Sequence, residues 1–237
     1  MKRSVKIVAL GLGLALLLPV TTPADAGPIG GPPPPRPEAD YRFQDSLASS
    51  VPGAPVLRNL DGPTPNEFGQ EVVDGHNRRV LQFDEGGGLR LGNVTSLVAA
   101  NKYTISIQFR LDATTSYARV LTLKPDSNVN ADTGLYVQDD DLVWYDRRYP
   151  DLATVIPDQW VTATVTRSAN GVVRGYIRDV QVFSFNDFNS RAVIDANRII
   201  RFFRDNDNSE ESSGAVARIR LWDEVLTPDQ VAHLFAV

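Results

Sequence analysis

From Asp40 onward the chain alternates apolar and polar positions in short runs. Residues 102–112 give the cleanest case. Tyr103, Ile105, Ile107, Phe109 and Leu111 share one face, and Thr104, Ser106, Gln108 and Arg110 share the other. This period of two predicts a strand with one buried face. Ala217, Ile219 and Leu221 alternate with Arg218 and Arg220 in the same way near the C-terminus. Further strands are predicted at Tyr41–Phe43, Pro55–Leu60, Arg79–Phe83, 118–124, 134–138, 141–146 and 198–204. Segments 159–168 and 172–185 form a pair whose connection, Ser168-Ala169-Asn170-Gly171, carries an Asn-Gly hairpin signal. Gly86, Gly87 and Gly88 mark a tight turn or bulge, and Val94–Ala100 reads as a short connection. Thr227-Pro228-Asp229-Gln230 offers an N-cap, a proline at the first helical position and a capping-box glutamine, so a helix starts there. Many short strands with one late helix predict an all-β fold, a two-sheet antiparallel jelly-roll sandwich with a short C-terminal helix.

The N-terminus follows another pattern. Lys2, Arg3 and Lys6 precede an apolar run from Ile7 to Val20, and Ala24-Asp25-Ala26 closes the segment. This is the order of a secretory signal peptide cleaved after Ala26. The run is shorter than the roughly 20 residues that span a bilayer, so no stable membrane insertion is expected. Residues 27–39, GPIGGPPPPRPEA, read as a Gly/Pro-rich spacer, and the globular domain is expected over 40–237. The chain has no cysteine, so neither disulfides nor thiolate chemistry is available. Its formal charge is −5, and loss of residues 1–26 removes three cations and one anion. An acidic chain without a basic tract does not suit a nucleic-acid partner.

Five pieces, in order, resemble the laminin G-like, concanavalin A-like jelly-roll family. They are YRFQD (41–45), VLQFDEGGGLRL (80–91), YTISIQFRLD (103–112), QWVTATVTRSANGVVRGYIRDVQV (159–182) and GAVARIRLWDEVLTPDQVAHL (214–234). The resemblance implies a fold used mostly for binding outside the cell. It also implies that Trp160 and Trp222 are packing residues. One departure stands out: Arg178-Asp179 occupies a turn where the family pattern is Asp-Gly.

Three chemistries are open to a chain of this pattern. The superfold includes glycoside hydrolases, which need a pair of carboxyl groups across the scissile bond. No E-x-D-x-x-E spacing occurs here, and His233 sits among apolar residues of the terminal helix. No catalytic residue is therefore assigned. Calcium takes oxygen ligands from flexible loops. Loop 126–132 spaces oxygens like the start of an EF-hand, but it lacks the glycine at position six and the glutamate at position twelve. Loop 205–211 is denser in carboxylates, and Asp205, Asp207 and Glu211 are the expected Ca2+ ligands there. Ligand recognition is expected at Trp144, Tyr145, Arg147, Arg148 and Tyr149, which combine aromatic faces with guanidinium forks.

These features predict a secreted or periplasmic noncatalytic module for binding or adhesion. Its expected partner is an extracellular glycan or protein. The alternatives are a calcium-stiffened structural domain and a divergent polysaccharide hydrolase or lyase of the same superfold. Export yields the first prediction: N-terminal sequencing of secreted material should start at or near Gly27. Recovery of intact Met1 in a membrane fraction contradicts it.

Overall fold

The computed structural model describes residues 31–125, 132–145, 153–205 and 209–235. The signal segment lies outside these residues. Two antiparallel sheets face each other. The larger contains β1 (Ala39–Tyr41), β3 (Glu67–Val73), β4 (His76–Phe83), β6 (Tyr103–Leu111), β10 (Val161–Arg167), β11 (Val172–Ile177), β12 (Val180–Asn186) and β14 (Gly214–Trp222). Its order is β12-β11-β10-β6-β14-β4-β3, with β1 also paired to β14. The smaller sheet contains β2 (Arg58–Leu60), β5 (Gly88–Leu91), β7 (Tyr117–Thr122), β8 (Gly134–Gln138), β9 (Asp141–Trp144) and β13 (Ile200–Phe202). Its order is β2-β5-β13-β7-β8-β9. Among the described residues the helices are one turn at Val94–Ser96 and α1 (Pro228–Ala232). None is long and apolar enough to cross a membrane.

The inward faces of both sheets form one core. Ile105, Ile107 and Phe109 of β6 meet Val120 and Leu121 of β7 and Leu135 of β8 in the same buried cluster. Phe203, just after β13, stacks on Phe83 at 4.5 Å between ring centroids and leans on Phe109 at 5.7 Å. Burying such side chains stabilises by roughly 1.5–3 kcal/mol each before entropy is counted. Two core tyrosines find partners for their hydroxyls. Tyr103 donates to the Ala192 carbonyl at 2.6 Å, and Tyr41 to that of Pro55 at 2.7 Å.

The capping box forms as expected. Gln230 N–H donates to Thr227 Oγ1 at 3.2 Å, and Thr227 N–H donates to Gln230 Oε1 at 2.9 Å. The Asn-Gly connection closes the β10–β11 hairpin, with Gly171 at φ 90°. Other expectations need correction. Ala217 is not part of the inner face with Ile219 and Leu221. The register slips between Val216 and Arg218, which leaves Ala217 as a bulge residue packed with Val73, Val80 and Ala215 outside the main core. The strand β3 was not foreseen, because an edge strand with mixed exposure shows little alternation. The proline-rich segment is more than a spacer. Trp222 Nε1–H donates to the Pro35 carbonyl at 2.8 Å, and Glu38 N–H to that of Leu221 at 2.8 Å. Ordered contacts therefore begin before Asp40.

Gly175 shows how tightly β11 meets β12. A Cβ built there would lie 2.2 Å from the Phe183 ring. Gly175→Ala should destabilise by about 1–3 kcal/mol in denaturant unfolding, because the ring has to shift. Pairing it with Phe183→Leu should recover part of that loss. An unchanged midpoint in Gly175→Ala contradicts the close approach.

Candidate functional site

The outer face of the large sheet carries a groove that is the candidate site. The bulge in β14 sends Arg218 and Arg220 outward, beside Gln108 of β6 and Thr162 of β10. The turn between β3 and β4 is Asp74-Gly75, with φ 49° and 80°. Both angles are positive, as a two-residue hairpin turn requires. It brings Asp74 to the same face. Arg78 follows on β4, Trp160 enters just before β10, and Arg178 stands at the β11–β12 turn. The C-terminal residues Leu234 and Phe235 form a wall. Together these side chains line a groove of about 340 Å³.

Its polar groups are partly interlocked. Asp40 on β1 is almost fully buried, and it accepts both arms of Arg218 at 2.8 and 2.9 Å and Arg42 at 2.7 Å. Burial alone would raise the Asp40 carboxyl pKa, but Arg218 and Arg42 outweigh it and hold it below the usual range. Arg78 donates to Gln108 at 3.2 Å, and Gln108 donates in turn to Asp74 at 2.7 Å. Arg220 lies over the Trp222 ring at 5.4 Å. Burial, followed by repulsion from Arg218, lowers its pKa to about 10.

Trp160 packs, as the resemblance implies, against the small outer cluster of Val73, Val80, Ala215 and Ala217. It is half-buried on the outer face, where it borders this groove and a second one lined by Ala153, Ile156 and Val180. Trp222 packs too, in a buried cluster with Tyr176, Leu226 and Val231. The groove was not foreseen as a site, since outward arginines on strands look like any solvated face. The available signals were Asp74-Gly75 and the unusual Arg178-Asp179 turn.

The residues predicted from sequence lie elsewhere. Trp144 and Tyr145 fall on opposite faces of the small sheet. Trp144 is 1% exposed and packs near Phe185 at 6.0 Å, at the edge of a small pocket of about 170 Å³ that it lines with Asp187 and Phe188. Tyr145 joins Tyr117 and Tyr136 in an outer cluster with centroids 5.7–6.3 Å apart. Arg147, Arg148 and Tyr149 lie outside the described residues, as does most of loop 126–132. So does Asp207 of the other loop. Asp205 is buried and ion-paired with Arg119, whose guanidinium sits 4.1 Å from the Tyr136 ring centroid. Glu211 accepts from Asp205 N–H at 3.3 Å and lies 3.5 Å from Arg204. The charge that calcium was expected to neutralise is met here by arginines. Among the described residues no group of three acids or histidines is placed to hold a metal.

Burial raises the carboxyl pKa of both Glu210 and Glu211. Glu211 borders a rim pocket of about 460 Å³ with Asp61, Glu85 and Arg204. By contrast, Asp74 is the one carboxylate among the described residues lining the large-sheet groove.

Comparison with known proteins follows the same architecture. The family described as the concanavalin A-like lectin/glucanases superfamily matches residues 83–232, more than half of the chain. No curated protein matches the sequence. Domain 4 of AbnA, an extracellular GH43 arabinanase from Geobacillus stearothermophilus solved with arabinotriose, aligns with a TM-score of 0.67 at 19% identity. That alignment covers 85% of this chain and 98% of that one. A botulinum neurotoxin type C structure, whose cell entry depends on two ganglioside molecules, gives 0.59 at 13% identity, over 83% of this chain and 50% of that one. The binding domain of botulinum neurotoxin DC in complex with rat synaptotagmin II gives 0.56 at 11%, over 83% and 50%. At these identities the likeness concerns the fold.

The Asp40–Arg218 pair yields a prediction with a sign. A carboxyl whose folded pKa is depressed adds stability above its unfolded pKa of about 3.9, and that stability is lost as pH falls through the folded value. Asp40→Asn should cost about 1–3 kcal/mol at pH 7, because it takes the anion from Arg218 and Arg42, both of which keep access to water. The deficit should shrink below pH 4. A deficit that stays constant down to pH 2 in urea unfolding contradicts the ion pair.

Proposed function

The chain belongs to the concanavalin A-like lectin/glucanases superfamily, and from that premise we propose that it is a secreted, noncatalytic module that binds extracellular carbohydrate in the large-sheet groove. Trp160, mostly buried yet bordering the groove, carries the reading. It lines the groove together with Arg78, Gln108 and Asp74. The C–H face of a sugar covers an aromatic ring, while fixed donors and acceptors read its hydroxyls. Arabinotriose and gangliosides, ligands named for two structural neighbours, add support. The N-terminal signal pattern supports export.

Two readings compete. A protein partner is favoured by the synaptotagmin complex of one neighbour. A hydrolase would draw on the rim pocket, where Glu211 has a raised pKa near Asp61 and Glu85. Calcium at loop 205–211 is a separate proposal, with Arg119 and Arg204 competing for the same carboxylates.

A glycan array run with and without calcium tests the main reading. It should return a ligand whose binding does not release reducing ends. Trp160→Ala should weaken that ligand roughly tenfold, on the order of 1.4 kcal/mol, with the fold intact by circular dichroism. Turnover lost in Glu211→Gln would move the function to the rim pocket. Binding untouched by Trp160→Ala would move it off this face.

A further inference from the structure

The protein is acidic overall, with 29 acidic residues against 24 basic ones. The large-sheet groove reverses that balance. Arg78, Arg178, Arg218 and Arg220 line it, with Asp74 as the lining acid and Asp40 beneath Arg218. Asp40 is committed to Arg218 and Arg42. Arg78 faces a neutral amide, Gln108. Among the described residues the Arg220 guanidinium makes no side-chain hydrogen bond or ion pair; it lies over the Trp222 ring, and its cross-strand neighbour Asp40 is already shared by Arg218 and Arg42. A half-buried guanidinium without a counterion of its own is costly, because lost water and like-charge repulsion oppose it and the distributed charge of Asp40 and Asp74 offsets them only in part. The lowered pKa of Arg220 and that of Arg78 have these same two causes. A bound anion would supply the missing charge.

Arg178 points the same way independently. It holds a left-handed φ of 54°, a conformation unfavourable for a long side chain. Glycine or asparagine would occupy this turn without strain. The chain instead places a guanidinium there, at the margin of the groove.

We propose that the groove binds an acidic sugar, one bearing a carboxylate or sulfate, with Arg220, Arg78 and Arg178 holding the oxyanion and Trp160 supporting the ring. The proposal rests on the carbohydrate reading above and narrows its ligand class. An arginine fork matches two oxygens of an oxyanion at once. Trp160 separates a sugar from an acidic peptide, since a glutamate chain would use the arginines and leave the ring idle.

Calorimetric titration of the full chain tests this with four probes: hexagalacturonate, its methyl ester, a dextran sulfate oligosaccharide and polyglutamate. At least one acidic sugar should bind, and which of the two does so identifies the source of the anion. The neutral ester should bind at least about tenfold more weakly, as should the acidic sugar to Arg220→Gln. Arg178→Gly relieves the strained turn, so it should fold at least as well as the parent, yet bind severalfold more weakly. Affinity for the acidic sugar should also fall with added salt.

Equal binding of acid and ester, unchanged in both arginine variants, overturns the acidic-sugar proposal and leaves the carbohydrate reading standing. Binding of polyglutamate alone overturns it in favour of a peptide. If none of the four probes binds, the proposal is also overturned. The array then decides the wider reading, which survives on a neutral ligand and falls if no glycan binds.

Discussion

The register of β14 is the constraint on which the rest depends. This strand pairs with β6 along its whole length, while β4 and β1 share its other edge end to end. Val216, Ile219 and Leu221 must enter the core, and Arg218, Arg220 and Trp222 must leave it. A slip of one residue would exchange the two sets and bury guanidinium groups among the aromatics. The bulge at Ala217 reconciles this demand with the pairing to β6. It keeps Val216 opposite Phe109 and sets Arg218 opposite Gln108. The pairing of β1 with the far half of β14 then lays Asp40 beside Arg218. Core, ion pair and groove are consequences of one alignment.

Much of the fold was legible because backbone periodicity leaves a mark in the sequence. Residues 103–111, the Asn-Gly hairpin and the Thr227 capping box all carry local signals, and all three form as read. Features set by distant partners left no such mark. The edge strand β3 is half solvated and shows little alternation. Ala217 reads as an inner residue until its neighbour across the ladder is known. The proline-rich segment looks like a spacer in sequence, yet the indole of Trp222 holds the Pro35 carbonyl.

The candidate site was less legible for the same reason. Trp144 and Tyr145 are adjacent in sequence but belong to opposite faces, as strand geometry requires. Sequence density alone suggested that the carboxylates of loop 205–211 need a cation. In the fold Arg119 reaches Asp205 from β7, and Arg204 lies beside Glu211. Conversely, the arginines of β4 and β14 look solvated in sequence. Folding collects them on one face with too few acids. Charge imbalance after folding, rather than charge density along the chain, is what singles out the proposed binding surface.

A crystal structure of the chain with a glycan selected on the array tests this account most directly. The account predicts a sugar ring against Trp160, with Arg220 and Arg178 within hydrogen-bond reach of its substituents. A sugar bound at the outer tyrosine cluster of the small sheet, or in the rim pocket beside Glu211, with the large-sheet groove left to solvent, would contradict it.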